Sequence, residues 1–324
     1  MKIEVANRRV SGPKNRRCAF IANRFDSEFG FRPGDGESWI GFNDYTLEFE
    51  GLTHVSSGTA ALYSGIWSTL EGSIYVTRHD GWIVRNSNVF GPDVQSTWQD
   101  DHLEDRTLWG VFGIDDENVF VWCNDSKTDS QLVYPPSDIL RRAGNDWRPM
   151  PAPGFQVIAM HGNSPDNLWV ASPSGEIARW NGTTWQNIGA VKGAVHSLWV
   201  AGSDEAYATT SPGAVVHISG AGIRLMGNLP GAAIPGDAAC VAKWQGNLWL
   251  GSPRLGLFRQ AAETQEFECI KPNILCVSMD AREELVLCAP NRIAGTADGV
   301  EFRAYGNDCV QNIRAPHKLC QNMG

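Results

Sequence analysis

The chain has 324 residues, a formal net charge of −9, and 13 Trp, 34 Gly and 17 Pro. This composition points to many short strands and tight turns rather than long helices, and the acidity disfavours a general nucleic-acid binder while leaving basic protein partners open. No apolar stretch reaches the length that spans a bilayer, and a chain of this size buries about 75% of its unfolded surface, so it needs neither metal nor disulfide to fold.

Residues 1–10 are charged without an apolar core, which reads as no signal peptide and a cytoplasmic protein. The cysteines at 18, 123, 240, 269, 276, 288, 309 and 320 form no C-x-x-C pair and no zinc spacing, so reduced thiols are expected. Arg8, Arg9, Lys14, Arg16, Arg17 and Arg24 follow one another with no acid between Glu4 and Asp26. They could contact phosphate or an acidic partner; a surface arm or a strand edge protected by charge accounts for them more simply.

From there the chain repeats itself. Cys18-Ala-Phe20-Ile-Ala22 and Gly72-Ser-Ile-Tyr75-Val76 introduce an apolar strand centred on an aromatic. The pattern is clearest at Gly113-Ile-Asp-Asp-Glu-Asn118-Val-Phe120-Val121, and it recurs as Gly162-Asn-Ser-Pro-Asp-Asn167-Leu-Trp169-Val170. Gly202-Ser-Asp-Glu-Ala-Tyr207-Ala208, Gly246-Asn-Leu-Trp249-Leu250 and Glu284-Leu-Val-Leu287 follow. A second beat comes a few residues later, where Gly81, Gly175, Gly213 and Gly256 each open another strand and complete a β-hairpin. In those strands alternation places Arg or His (Arg85, Arg179, His217, Arg259) outward.

A third beat is a turn before an outer strand, Gly144-Asn-Asp-Trp147 and Gly182-Thr-Thr-Trp185, with Asp298-Gly-Val-Glu-Phe302 a looser version. Its aromatic is expected to pack back on its own sheet. One further strand precedes each unit, as in Leu108-Trp-Gly-Val-Phe112, Val157-Ile-Ala-Met160 and Val195-His-Ser-Leu-Trp-Val200, and Ile274-Leu-Cys-Val277 is assigned the same place. Four strands in about forty residues is the signature of an all-β propeller blade.

Phe20, Tyr75, Phe120, Trp169, Tyr207, Trp249 and Leu287 mark seven units in equivalent second strands, with six blades the runner-up. The expected single domain spans 1–324, with blades near 17–55, 56–100, 107–150, 156–190, 194–228, 238–271 and 273–305, and 306–324 as closing strand and tail. In that scheme Cys309-Val-Gln-Asn-Ile313 joins the sheet that begins near Cys18, so N- and C-terminal strands close the ring and hide edge strands.

Trp180-Asn-Gly-Thr-Thr-Trp185, preceded by Asn167-Leu-Trp-Val170, resembles bacterial propeller repeats of the W-[DN]-G-x-x-W type over most of residues 60–304. The resemblance implies architecture and no activity. The Gly-His…Trp-Asp pair of WD40 repeats and the paired glycines of kelch are missing.

No phosphate loop, H-E-x-x-H, G-x-S-x-G elbow or EF-hand loop occurs, and Trp180 stands where a sialidase-type Asp box needs its Asp. No cofactor and no metal is therefore expected. His161, His196 and His217 lie on neighbouring units; only His161, at the end of an innermost strand, is placed to face a central channel, so a shared metal is not expected. Gln99–Arg106 reads as an acidic insertion between the second and third blades, in which Asp100, Asp101, His102, Glu104 and Asp105 could meet a cation or a basic partner, or simply be a solvated loop. Trp98 and Trp244 are candidate exposed anchors for a partner.

With no catalytic constellation in sequence, the expected function is non-enzymatic protein binding, for instance as an immunity protein neutralising a toxin or as a scaffold subunit. The alternatives are a hydrolase or lyase working in the central channel, against which largely apolar inner strands weigh, and a carbohydrate-binding lectin.

Overall fold

A computed structural model describes residues 3–12, 17–26, 38–44, 49–56, 62–87, 89–90, 98–127 and 135–306. They form seven four-stranded antiparallel sheets in chain order, the seven blades of a β-propeller, and contain no helix. The second strands are Arg17–Asp26, Ile74–Arg78, Val119–Asp125, Asn167–Ala171, Glu205–Thr210, Asn247–Ser252 and Leu285–Ala289. Each is clamped between neighbouring blades, which is why it reads as a continuous apolar run rather than an alternating one. All seven marker residues of the repeat are buried.

Five of those markers share one orientation. Tyr75, Phe120, Trp169, Tyr207 and Trp249 each pack against the second strand of the following blade, as Trp169 does on Ala206 and Ala208. Phe20 and Leu287 do not: Phe20 packs on Val286 and Cys288 of the seventh blade, and Leu287 on Trp249 of the sixth. Both therefore face the preceding blade. In register the equivalents are Ala19 and Val286, because a one-residue offset turns a strand's side chains to the opposite face.

The third-strand cations do not simply point outward. Arg141, Arg179 and Arg259 lie directly across from Phe120, Trp169 and Trp249 in the ladder, with guanidinium carbons 5.9, 5.3 and 5.5 Å from the ring centroids. His217 meets Tyr207 in the same way, 5.3 Å between centroids. The three arginine pairs add cation–π attraction to the cross-strand contact.

Outer-strand aromatics also depart from expectation. Trp185 packs on Trp180 of its own sheet, but Trp147 donates its Nε1–H to Asp101 of the preceding blade at 3.2 Å and Phe302 meets Trp249 of the preceding blade at 6.3 Å. The hairpin glycines earn their place sterically: Gly175 has φ +102°, and a Cβ there would fall 2.3 Å from the Val191 carbonyl oxygen.

The first blade takes its inner strand from Ile3–Ser11, so its four strands all come from residues 3–56. The first blade thus reaches four strands from the N-terminal residues alone; the closing strand expected at residues 309–313 lies outside those described. Among the described residues the first and seventh blades meet by side-chain packing, with Val10 and Phe20 against Val286, Cys288 and Ile293. Of the basic N-terminal residues, Arg8 and Arg9 belong to this inner strand and Arg17 and Arg24 to the next; Lys14 and Arg16 lie outside the described residues.

Candidate functional site: the central channel and its mouth

The other inner strands are Tyr63–Ser68, Arg106–Gly113, Ala159–Ser164, Val195–Gly202, Cys240–Trp244 and Ser278–Ala281. The seventh begins later than Ile274–Val277, the segment expected for it. All seven line one central channel of about 690 Å³.

Strand register sorts the channel wall into layers. One layer comprises Ser11, Trp67, Phe112, His161, Trp199 and Asp280, with Ala242 buried at the equivalent position of the sixth blade; they stand opposite Ala19, Tyr75, Phe120, Trp169, Tyr207, Val286 and Trp249 respectively. Blades two to five thus contribute four rings, and Phe112–His161 and His161–Trp199 lie 5.0 and 4.3 Å apart. The first and seventh blades supply a polar seam. Asp280 pairs with Arg282 at 3.2 Å and accepts from the Gly12 amide at 2.8 Å and Ser11 Oγ at 3.2 Å, while Ser11 Oγ and Ser68 Oγ are 2.9 Å apart. The expectation of a largely apolar channel is corrected by this seam.

His161 Nδ1 accepts the Val200 amide hydrogen at 3.1 Å, so in the neutral ring Nε2 carries the proton. Burial pushes its pKa down to about 4, Asp280 raising it and Arg282 lowering it to lesser degrees, so the ring is neutral at physiological pH.

Two residues closer to the start of each inner strand, on the same face, lie Arg9, Gly65, Gly110, Ala159, Ser197, Cys240 and Ser278, all of them on the channel wall. Just above this layer four inner strands carry a bulge, leaving residue 8, Ser64, Trp109 and His196 as the extra residue. Bulges re-aim side chains, and Ser64, Trp109 and His196 all line the channel at this mouth. Trp109 is 37% exposed, donates to Asn124 Oδ1 at 2.5 Å and meets His79 edge-on. Exposed Ile158, Ile234 and Leu275 stand in the segments that lead into their own inner strands, and Ile158 lines the channel.

His196 Nε2 lies 2.6 Å from Ser211 Oγ and accepts the Gly236 amide hydrogen at 3.2 Å. Among the described residues nothing hydrogen-bonds its Nδ1. The three histidines stay apart: His161 is in the ring layer, His196 at the mouth and His217 on a third strand against Tyr207. No group of three metal-ligating side chains occurs among the described residues.

The acidic segment is not an insertion loop. Trp98–His102 is the outer strand of the second blade, at the rim of the disc. Asp100 is exposed, whereas Asp101 lies 3.5 Å from Arg85 and receives the Trp147 hydrogen bond. His102 stacks on Trp82 at 4.4 Å; Asp105 pairs with Lys127 at 2.5 Å; Glu104 is exposed in the following turn. Neither tryptophan is an exposed anchor: Trp244 is 4% exposed and donates to the Arg282 carbonyl at 3.2 Å, and Trp98 is half-buried against the core between the first two blades.

No family model matches the chain, and no curated protein matches it in sequence. Solved structures match it in fold. The WD40 β-propeller domain of Doa1 superposes with a TM-score of 0.62 at 12% identity, covering 96% of both chains. Sqt1 from Chaetomium thermophilum gives 0.58 at 11% over 90% of this chain and 81% of that one. YCF48 bound to D1 peptide gives 0.57 at 13% over 78% and 83%. At such identities the likeness carries the propeller fold alone.

Proposed function

We propose that this chain is a non-enzymatic protein-binding propeller whose partner docks on the channel-mouth face. The observation that carries this reading is the placement of exposed apolar side chains. Of the seven large exposed hydrophobics among the described residues, Trp109 and Ile158 line the channel, and Ile234 and Leu275 lie in the segments that lead into the sixth and seventh inner strands. Clustered apolar exposure marks interaction surfaces, and tryptophan is a frequent anchor. A fold neighbour solved as YCF48 bound to D1 peptide supports a peptide segment as the docked element. The acidic rim strand, with exposed Asp100 and Glu104, would steer a basic partner without anchoring it.

A pull-down from native lysate tests this with the parent and a Trp109→Ala/Leu275→Asp double variant. A stoichiometric partner retained by the parent and lost by a folded variant is expected; equal capture by both places the interface elsewhere. If the partner is a toxin whose activity falls on binding, the chain is an immunity protein; several co-purifying subunits make it a scaffold.

One observation favours a second reading. The Ser211–His196 contact is half of a hydrolase triad, with no carboxylate on the far nitrogen among the described residues. Labelling of Ser211 by a fluorophosphonate, abolished by His196→Ala, would establish hydrolase chemistry at the mouth.

A further inference from the structure

The mouth-side layer of the channel is small at every blade but the first. Gly65, Gly110, Ala159, Ser197, Cys240 and Ser278 carry short side chains or none, and Arg9 is the one long side chain of this layer, exposed on the channel wall. Its surface is open to channel water although protein surrounds it, and that enclosure lowers its pKa; a guanidinium nonetheless stays charged. Enclosed charges are costly unless paired, yet among the described residues no carboxylate hydrogen-bonds or ion-pairs Arg9. The channel's acids are Asp280 and Glu283. Asp280 is engaged by Arg282, Ser11 and Gly12, and Glu283 lies beyond the far end of the seventh inner strand.

We propose that Arg9 is the receptor for a single carboxylate carried into the channel by a ligand with an apolar body, which rests against Trp109 and Ile158 at the mouth. The channel's volume is within the range of small-ligand sites, which join apolar walls to a few placed polar groups. A guanidinium grips a carboxylate through two parallel hydrogen bonds. One cation matches a monoanion; among the described residues a phosphate dianion would meet only Arg282 as a second channel guanidinium, and that is committed to Asp280. His161, neutral, adds no charge and offers its Nε2–H as a donor to the chamber below.

The carboxylate could belong to a free small acid or to the end of a docked peptide. The first source is independent of the protein-binding reading, and the second rests on it. Calorimetric titration of the whole chain with phenylacetate, N-acetyl-leucyl-phenylalanine and the amides of both separates the sources. At least one acid should bind, its amide should not, and Arg9→Gln should weaken the acid at least tenfold. The free acid alone binding assigns a small-molecule site; the peptide acid alone assigns a chain terminus. Neither acid binding the folded parent, or equal binding by Arg9→Gln, overturns the proposal, whatever the pull-down reports. Because no described acid pairs with Arg9, unliganded Arg9→Gln should melt at or above the parent; a lower melting temperature would make Arg9 a structural residue and overturn it as well.

Discussion

The Val200 amide donates to His161 Nδ1 across the junction of the fourth and fifth blades, at 3.1 Å, and so fixes an imidazole as one of four rings in the channel wall. Its folded pKa of about 4 lies below the ordinary value of 6.5. The unfolded chain therefore binds a proton first as pH falls, and stability is lost between about pH 6.5 and 4, by on the order of 3 kcal/mol at most. His161→Phe keeps a ring but orphans the Val200 amide, costing about 1–3 kcal/mol at pH 7. Denaturant titrations at pH 7, 5.5 and 4.5 should show its deficit shrinking with acidity; a constant deficit would mean that His161 titrates normally.

Trp169 is fully buried between the fourth and fifth blades, beneath Arg179. Trp169→Ala should cost about 3–5 kcal/mol in equilibrium unfolding. A variant that unfolds with the parent would place the side chain outside the core.

Asp100 and Asp101 are adjacent, and the strand separates their consequences. Asp101→Asn removes the charge that faces Arg85 and weakens the acceptor of the Trp147 hydrogen bond, and should melt below the parent, whereas Asp100→Asn, exposed, should melt with it. Paired thermal melts decide it, and equal behaviour would contradict the strand assignment of Trp98–His102.

Asp237 ties down the loop ahead of the sixth inner strand. It receives two hydrogen bonds from Arg254, at 2.9 and 2.8 Å, and the amides of Ala233 and Ile234. Arg254 above all holds its carboxyl well below the usual range. A depressed carboxyl contributes stability above its unfolded pKa of about 3.9 and loses it only as pH falls further. The melting deficit of Asp237→Asn should thus be flat from pH 7 to 5 and close only in stronger acid.

Among the described cysteines only Cys269 is exposed, while Cys18, Cys123, Cys240, Cys276 and Cys288 are buried thiols. Iodoacetamide on the native protein, read by peptide mass spectrometry over residues 12–306, should modify Cys269 first and the other five after unfolding.

The propeller was legible because its signals are local: a turn glycine, an apolar strand and an aromatic recur at fixed spacing, and each fixes its own hairpin. What escaped was set by neighbours. The flip of Phe20 and Leu287 depends on ladder register, which a strand's own residues leave open. Trp98–His102 looked like a loop because an outermost strand at the rim has only one sheet neighbour and can afford charge. Trp244 looked exposable because its Nε1–H partner, the Arg282 carbonyl, comes from another blade. Arg9 stood in a basic run that suggested a surface; only the bulge in the first inner strand and its smaller counterparts around the ring place it in the channel.

Each blade is drawn from one continuous stretch of chain, so the junction of the seventh and first blades differs in kind from the other six. Those six are bridged by the polypeptide itself; at this one, among the described residues, no backbone-to-backbone hydrogen bond crosses, and the contact is apolar packing with the Asp280 bonds to Ser11 and Gly12. The ring is thus a clasped bracelet rather than a welded hoop. Its clasp is where breathing should begin, and it adjoins Arg9, so whatever occupies the channel also sits beside the fastening.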